Sequence, residues 1–356
     1  MSAQKDAKRS IAPIRRIAAV IVMAVGAVLL VSTFANNLFT VGPDFEEMID
    51  DFRPMLAEDS IAAARGDLSM LSDVGTEFET AIAPALSQQL GMTVDEFMGF
   101  TASNFPDVAN GMTALPEVVP TFSGLIDTLD SQRRLFESAD AIPTESLPAT
   151  TVPWGLFIAG LALIVAGFLI YRSGAIGVAT AGGLGVLIIV VTLLLSLIPK
   201  AADADQLNEN LEPIYTTELV TQAQGALGTI GAMGIQMQAE MLPALGQQLG
   251  MSADQLNGFL VENFPATAQA LQALPAAMGR FQGLVGNFDA NLDNYDTIKP
   301  VGFSGIIWTL FLGGLVTVLA AGMAWWSARR RIRRRRSARV APTEGTYQRL
   351  IRTQAE

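Results

Sequence analysis

Apolar residues along this chain of 356 fall into two kinds of run. Four stretches are apolar without interruption, at 17–39, 153–171, 175–198 and 303–326, and none contains Asp, Glu, Lys or Arg. A helix rises about 1.5 Å per residue and the hydrocarbon core of a bilayer is about 30 Å thick, so about twenty residues suffice to cross it. The pattern therefore predicts four transmembrane helices. Lys5, Lys8, Arg9, Arg15 and Arg16 precede the first, as they would in a signal peptide. Its apolar run is longer than a signal peptide needs and no small-x-small site closes it, so an uncleaved anchor is expected.

Between these stretches the periodicity changes to that of an amphipathic helix. From Val108, apolar residues recur every three or four positions at Met112, Leu115, Val119, Phe122, Ile126 and Leu129. Leu271, Leu274, Met278, Phe281, Val285 and Phe288 repeat the stripe later in the chain. Such stripes give each helix one face to bury. Gly91 and Gly250 stand where a helix ends on a left-handed residue. Thr93 with Glu96, and Ser252 with Gln255, then have capping-box spacing. Pro106 and Pro265 suit the first turn of the following helix, where the missing N–H costs nothing. Each intervening segment is expected to be a bundle of three to five helices.

The two segments are also copies in sequence. Residues 84–130 align with 243–289 at a constant offset of 159, without a gap, with 22 identities in 47 positions. The shared residues include the pairs Phe105 and Phe264, Pro106 and Pro265, and Phe122 and Phe281, which are expected to form the core of the repeat. The reading is a tandem duplication of a unit made of span, outer domain and span. Each unit crosses the membrane twice, so the halves should be parallel repeats about a pseudo-twofold axis along the membrane normal.

Charge assigns the sides. The overall net charge is −11, but residues 1–16 carry net +4, the turn 172–174 carries Arg172, and the tail 327–356 carries net +8. Residues 40–152 carry net −16 and 199–302 net −8. Short basic segments on one side and long acidic ones on the other follow the positive-inside rule. The expected architecture is an all-α integral membrane protein: a cytoplasmic N-terminus (1–16), spans at 17–39, 153–171, 175–198 and 303–326, a cytoplasmic turn (172–174), homologous extracytoplasmic helical bundles (40–152 and 199–302), and a basic cytoplasmic tail (327–356). Arginine in excess of lysine suggests a GC-rich genome, and the expected location is a bacterial cytoplasmic membrane.

Composition then narrows the chemistry. The chain has no Cys and no His, which removes thiolate nucleophiles, disulfides, imidazole bases and most transition-metal ligands. Paired carboxylates are left, and no motif positions such a pair. The run Asp44, Glu46, Glu47, Asp50 and Asp51 suits a helix N-terminus. Asp289, Asn291 and Asp293 begin like a calcium loop, but Asn294 replaces the turn glycine and Pro300 the closing glutamate. No enzymatic activity, cofactor or metal is expected. Intramembrane ionisable groups, the mark of an ion route, are missing from the spans.

Small residues at four-residue spacing, Gly177, Ala181 and Gly185, then Gly313, Thr317 and Ala321, are expected to let helices pack closely. Trp325 and Trp326, followed by Arg329, Arg330, Arg331, Arg333, Arg334, Arg335 and Arg336, form an expected membrane-interface and anionic-lipid site. It lies against the bilayer without a reading module, so nucleic acid is not an expected partner. The expected function is that of an accessory or scaffold subunit binding another cell-envelope component through its paired outer domains. The alternatives are a binding or transport protein for a lipid or other apolar ligand, and a transmembrane sensor signalling through the basic tail.

Overall fold

The computed structural model describes residues 2–144 and 146–340, with backbone alone for 2–13 and 331–340. Among them the chain is almost wholly helical, without a strand. In chain order the helices are α1 (Ser2–Ala35), α2 (Leu38–Phe52), α3 (Glu58–Glu77), α4 (Ala83–Leu90), α5 (Val94–Asn104), α6 (Pro106–Asp140), α7 (Thr151–Ser173) and α8 (Ala175–Leu194). There follow α9 (Leu197–Leu211), α10 (Thr217–Gln236), α11 (Leu242–Leu249), α12 (Ala253–Asn263), α13 (Pro265–Ala290), α14 (Leu292–Ile298) and α15 (Phe303–Val340). Single π turns, Phe78–Ile82 and Met237–Met241, join α3 to α4 and α10 to α11. Pro84 and Pro243 lie two residues beyond them, and each lacks the N–H that would have continued the α-ladder, so the ladder slips there.

The chain divides into two compact units: Met1–Pro43 with Ala141–Asp205 and Val301–Glu356, and Asp44–Asp140 with Gln206–Pro300. In the first, four helical stretches are long and apolar enough to cross a membrane: Ile14–Ala35, Thr151–Ser173, Ala175–Leu194 and a stretch within Leu292–Arg330. Continuous helix was expected over 17–39 and 175–198, but the structure interrupts both runs. Asn37 and Ser196, 159 residues apart, take φ of 49° and 51° and end their helices in the left-handed region. Asn36 Nδ2 donates to the Ser32 carbonyl at 2.8 Å, beside the Asn36 backbone N–H, which donates to the same oxygen at 3.1 Å.

Within this unit α1 packs on α7 and α15, and α8 on α15 and α7. The buried residues are small or aliphatic, including Ala18, Ala19, Val22, Leu163, Ala166, Ala181, Ala320 and Ala324. Large apolar side chains point away from the bundle instead, among them Val31, Ile158, Phe168, Leu187, Leu194 and Leu319. Small inside and large outside is the arrangement expected of helices solvated by lipid, where packing and not water expulsion drives association.

In the second unit α3 and α10 each pack on both α6 and α13. Element boundaries recur 159 residues apart from α2 and α9 through α5 and α12, and at the starts of α6 and α13. Gly91 and Gly250 close α4 and α11 at φ 69° and 68°. The capping boxes Thr93–Glu96 and Ser252–Gln255 are both complete. One core, running from Leu71, Phe78 and Phe97 to Met237, Leu260 and Phe264, draws side chains from both halves. The halves differ at their ends: α6 is one helix to Asp140, whereas its counterpart breaks at the buried Asn291 into α13 and α14.

Candidate functional site

At the centre of the second unit Phe122 and Phe281 meet edge to face, with ring centroids 5.3 Å apart, so equivalent side chains of the two halves touch each other. Phe105 and Phe264 occupy the short links before Pro106 and Pro265, with φ of −134° and −136°. They contact Phe100 and Phe259 at 6.1 and 5.7 Å.

The links are held from across the unit. The Glu77 carboxylate of α3 accepts from the Ala266 and Thr267 amides at the start of α13, at 3.3 and 2.7 Å. Gln236 Oε1 of α10, at the equivalent position, accepts from the Asp107 and Val108 amides at the start of α6, at 2.8 and 3.2 Å. Each half thus satisfies helix N–H groups that the other leaves unpaired. The pair Asn210 Nδ2 to Gln132 Oε1, 2.7 Å, has its counterpart in Asn291 Nδ2 to Asp51 Oδ2, 2.8 Å. Arg53 bonds Asp140 at 2.7 Å, and at the equivalent positions Lys299 bonds Glu212 at 2.9 Å with the charges exchanged.

These partners raise the cation pKa values. The hydrogen bond to Asp140 raises Arg53, that to Glu212 raises Lys299, and those to Asp127 and Asp130 raise Arg65. Tyr215 and Tyr295 stack at 4.5 Å. Burial lifts the Tyr215 phenol well above its ordinary value and pushes Tyr295 up to about 12.

A groove of about 530 Å³ lies between α3, the π turn at 78–82, α5 and α6. Leu71, Phe78, Met98, Leu115 and Val119 supply apolar wall, and Glu79, Met112 and Pro116 also line it. On the other half Gln238 Nε2 donates to the Leu271 carbonyl at 2.9 Å, tying the π turn to α13. A smaller apolar cavity of about 30 Å³ is shared by Phe78, Met112, Met237, Met241, Phe264 and Thr267.

A search of protein-family models found no match, and neither did a search of curated proteins.

In the first unit the small residues sit at close helix approaches. A Cβ on Gly185 would stand 2.9 Å from the Gly314 carbonyl oxygen, one on Gly177 would collide with the α7 backbone at Ile170, and one on Gly313 would meet Val25 at 2.9 Å. Ala181, Thr317 and Ala321 are buried beside them. Spacing alone did not single out Gly26 and Gly160, where each Cβ would lie 2.5 and 2.8 Å from the other's carbonyl oxygen. Gly26 is the single glycine of its span and Gly160 one of three in its own, so their pairing is visible only once α1 is set against α7.

Trp325 and Trp326 are exposed, with the Arg329 and Arg330 guanidinium carbons 3.8 and 3.5 Å from their ring centroids. The side chains of Arg331, Arg333, Arg334, Arg335 and Arg336, and the tail from 341, lie outside the described residues. Trp154 and Trp308, both exposed, were not singled out from sequence. Trp154 to Tyr171 on α7, and Trp308 to Trp325 on α15, each span about 26 Å of helix. That is close to the thickness of the hydrocarbon core, and amphipathic rings favour both of its faces.

Proposed function

We propose that this chain is a non-enzymatic multi-pass membrane protein whose Asp44–Asp140 and Gln206–Pro300 unit lies outside the bacterial cytoplasmic membrane and serves as a docking platform for another envelope component. Duplication of an ancestral span–domain–span unit built it, a reading supported by helix boundaries and breaks that recur 159 residues apart. The topology rests on the charge asymmetry: basic ends and turn inside, acidic domains outside. The observation that carries the platform reading is the reciprocal capping of α13 by Glu77 and α6 by Gln236. Two domains that complete each other's helices present one preformed surface, and preformed surfaces bind with little ordering cost.

The chain contains no cysteine, so single-cysteine labelling is clean. Ser103→Cys is expected to react with an impermeant maleimide in intact cells and Ser173→Cys only after permeabilisation; the reverse order overturns the topology. Purification from native membranes in mild detergent, followed by mass spectrometry, is expected to recover a reproducible partner. A solitary chain overturns the platform. A second reading, a carrier for an apolar ligand, is favoured by the groove of about 530 Å³, whose wall includes Met98 and Met112, since methionine walls adapt to irregular guests. A stoichiometric lipid surviving delipidation in native mass spectrometry is its test, and an empty protein refutes it.

A further inference from the structure

The two halves differ where the groove lies, and the difference is chemical. Pro275 has no N–H to offer the Leu271 carbonyl four residues earlier, and the side-chain amide of Gln238 makes up the loss at 2.9 Å. In the first half Pro116 deprives the Met112 carbonyl in the same way, but the residue equivalent to Gln238 is Glu79, which has only acceptors. Pro120 then deprives the Pro116 carbonyl as well, where the second half has Gly279 and an ordinary N–H. Met112, Pro116 and the exposed Glu79 all line the groove. Two carbonyls without their i+4 donors, a turn apart, therefore belong to residues that line a volume that Glu79 also borders. Carbonyls deprived of partners are costly in an apolar setting. Residues 66–132, which supply the whole lining, include ten acidic residues and no Lys or Arg.

We propose that this groove receives a lysine or arginine side chain from an apolar segment of a partner protein, the cation sitting among Glu79 and the Met112 and Pro116 carbonyls while its stem and neighbours cover Leu71, Phe78, Met98 and Val119. The donor-rich head supplies what Gln238 supplies in the other half, and the apolar stem suits the rest of the wall. The acidic surroundings favour the approach of such a segment and repel anionic ones. This rests on the docking-platform reading and names the chemistry of the partner.

The test uses the full chain in zwitterionic nanodiscs with 13C-methyl methionine, and two probes, the peptide Ac-Leu-Leu-Arg-Leu-Leu-NH2 and its citrulline counterpart, which keeps the shape and removes the charge. The arginine peptide is expected to shift the Met98 and Met112 methyl signals and to bind about tenfold tighter than the citrulline peptide. Glu79→Gln, whose amide closes on the Met112 carbonyl as Gln238 closes on Leu271, is expected to weaken the arginine peptide about tenfold without lowering thermal stability. Pro116→Ala, which restores the missing N–H, is expected to weaken it independently. Equal binding of the two peptides, unmoved methionine signals, or full affinity in both variants overturns the proposal. A native partner recovered equally by wild type and Glu79→Gln leaves the platform standing and removes this groove from it; no partner with wild type removes the platform.

Discussion

Asp67 of α3 and Arg280 of α13 form a two-pronged pair between the halves, Nε to Oδ2 at 2.7 Å and Nη2 to Oδ1 at 2.6 Å. Their side chains are 9% and 42% exposed, so the two partners stand in different surroundings. Replacing Arg280 by Met strands a nearly buried carboxylate, which costs about 3 kcal/mol, the low end for a broken buried pair because solvent reaches one side. Replacing Asp67 by Asn removes the buried charge and leaves a guanidinium that turns into water, at a cost of about 1 kcal/mol. For a unit of this size each kcal/mol moves the melting temperature by about 2–4 °C. Arg280→Met is therefore expected to lower Tm by about 6–12 °C and Asp67→Asn by about 2–4 °C. The double variant should melt above Arg280→Met alone, because no unpaired carboxylate is left. Thermal unfolding of the full chain in nanodiscs, followed by circular dichroism, reads all three. Equal losses in the single variants, or a larger loss for Asp67→Asn, would refute the reasoning.

Three further outcomes follow from local geometry. The Thr93 backbone N–H and hydroxyl hold the Glu96 carboxyl below its ordinary value, so its stabilisation is complete above the usual glutamate range and is lost as pH falls through the lowered folded value. In hydrogen exchange the amides of residues 94–97 should lose protection on acidification while those of 253–256, capped by the non-titrating Gln255, hold theirs; parallel behaviour contradicts this. The Thr267 hydroxyl is buried without a partner, and its counterpart is the fully buried Val108, so Thr267→Val should stabilise by about 1 kcal/mol, an unchanged or lower Tm being the refuting result. Gly26→Val drives a side chain against the Gly160 carbonyl and should cost about 1–3 kcal/mol, whereas Gly183→Val, with open space around it, should be silent in the same melt; matched effects sink the packing argument.

Much of the helical architecture is legible in the sequence, because its signals are local. Uninterrupted apolar runs, the glycines at 91 and 250, the capping boxes and the prolines at 106 and 265 each act within a turn or two of their own position. The breaks at Asn37 and Ser196 escape a hydropathy reading, since one left-handed residue in a long apolar run scarcely changes its mean. The groove escapes for another reason. Its wall depends on which carbonyls Pro116 and Pro120 orphan and on whether Gln or Glu stands opposite, and those residues lie more than thirty positions apart. Aligning the halves puts Glu79 against Gln238, but only the hydrogen bond to Leu271 says what the exchange means.

That distinction bears on where function lies in a chain whose halves resemble each other. Several differences between the halves are compensated: Arg53 with Asp140 becomes Glu212 with Lys299, and Asn210 with Gln132 answers Asp51 with Asn291. In each case both partners changed and a contact was kept, as expected where only folding constrains the pair. The exchange of Glu79 for Gln238 has no such counterpart. Pro116 and Pro275 are the same residue, so the first half has the same missing donor as the second without the amide that repairs it, and Pro120 adds another. In an open groove such acceptors are met by water, or by a donor that displaces it. Under the proposed docking, the repaired half maintains the shared core while the other leaves acceptors that an incoming donor can fill.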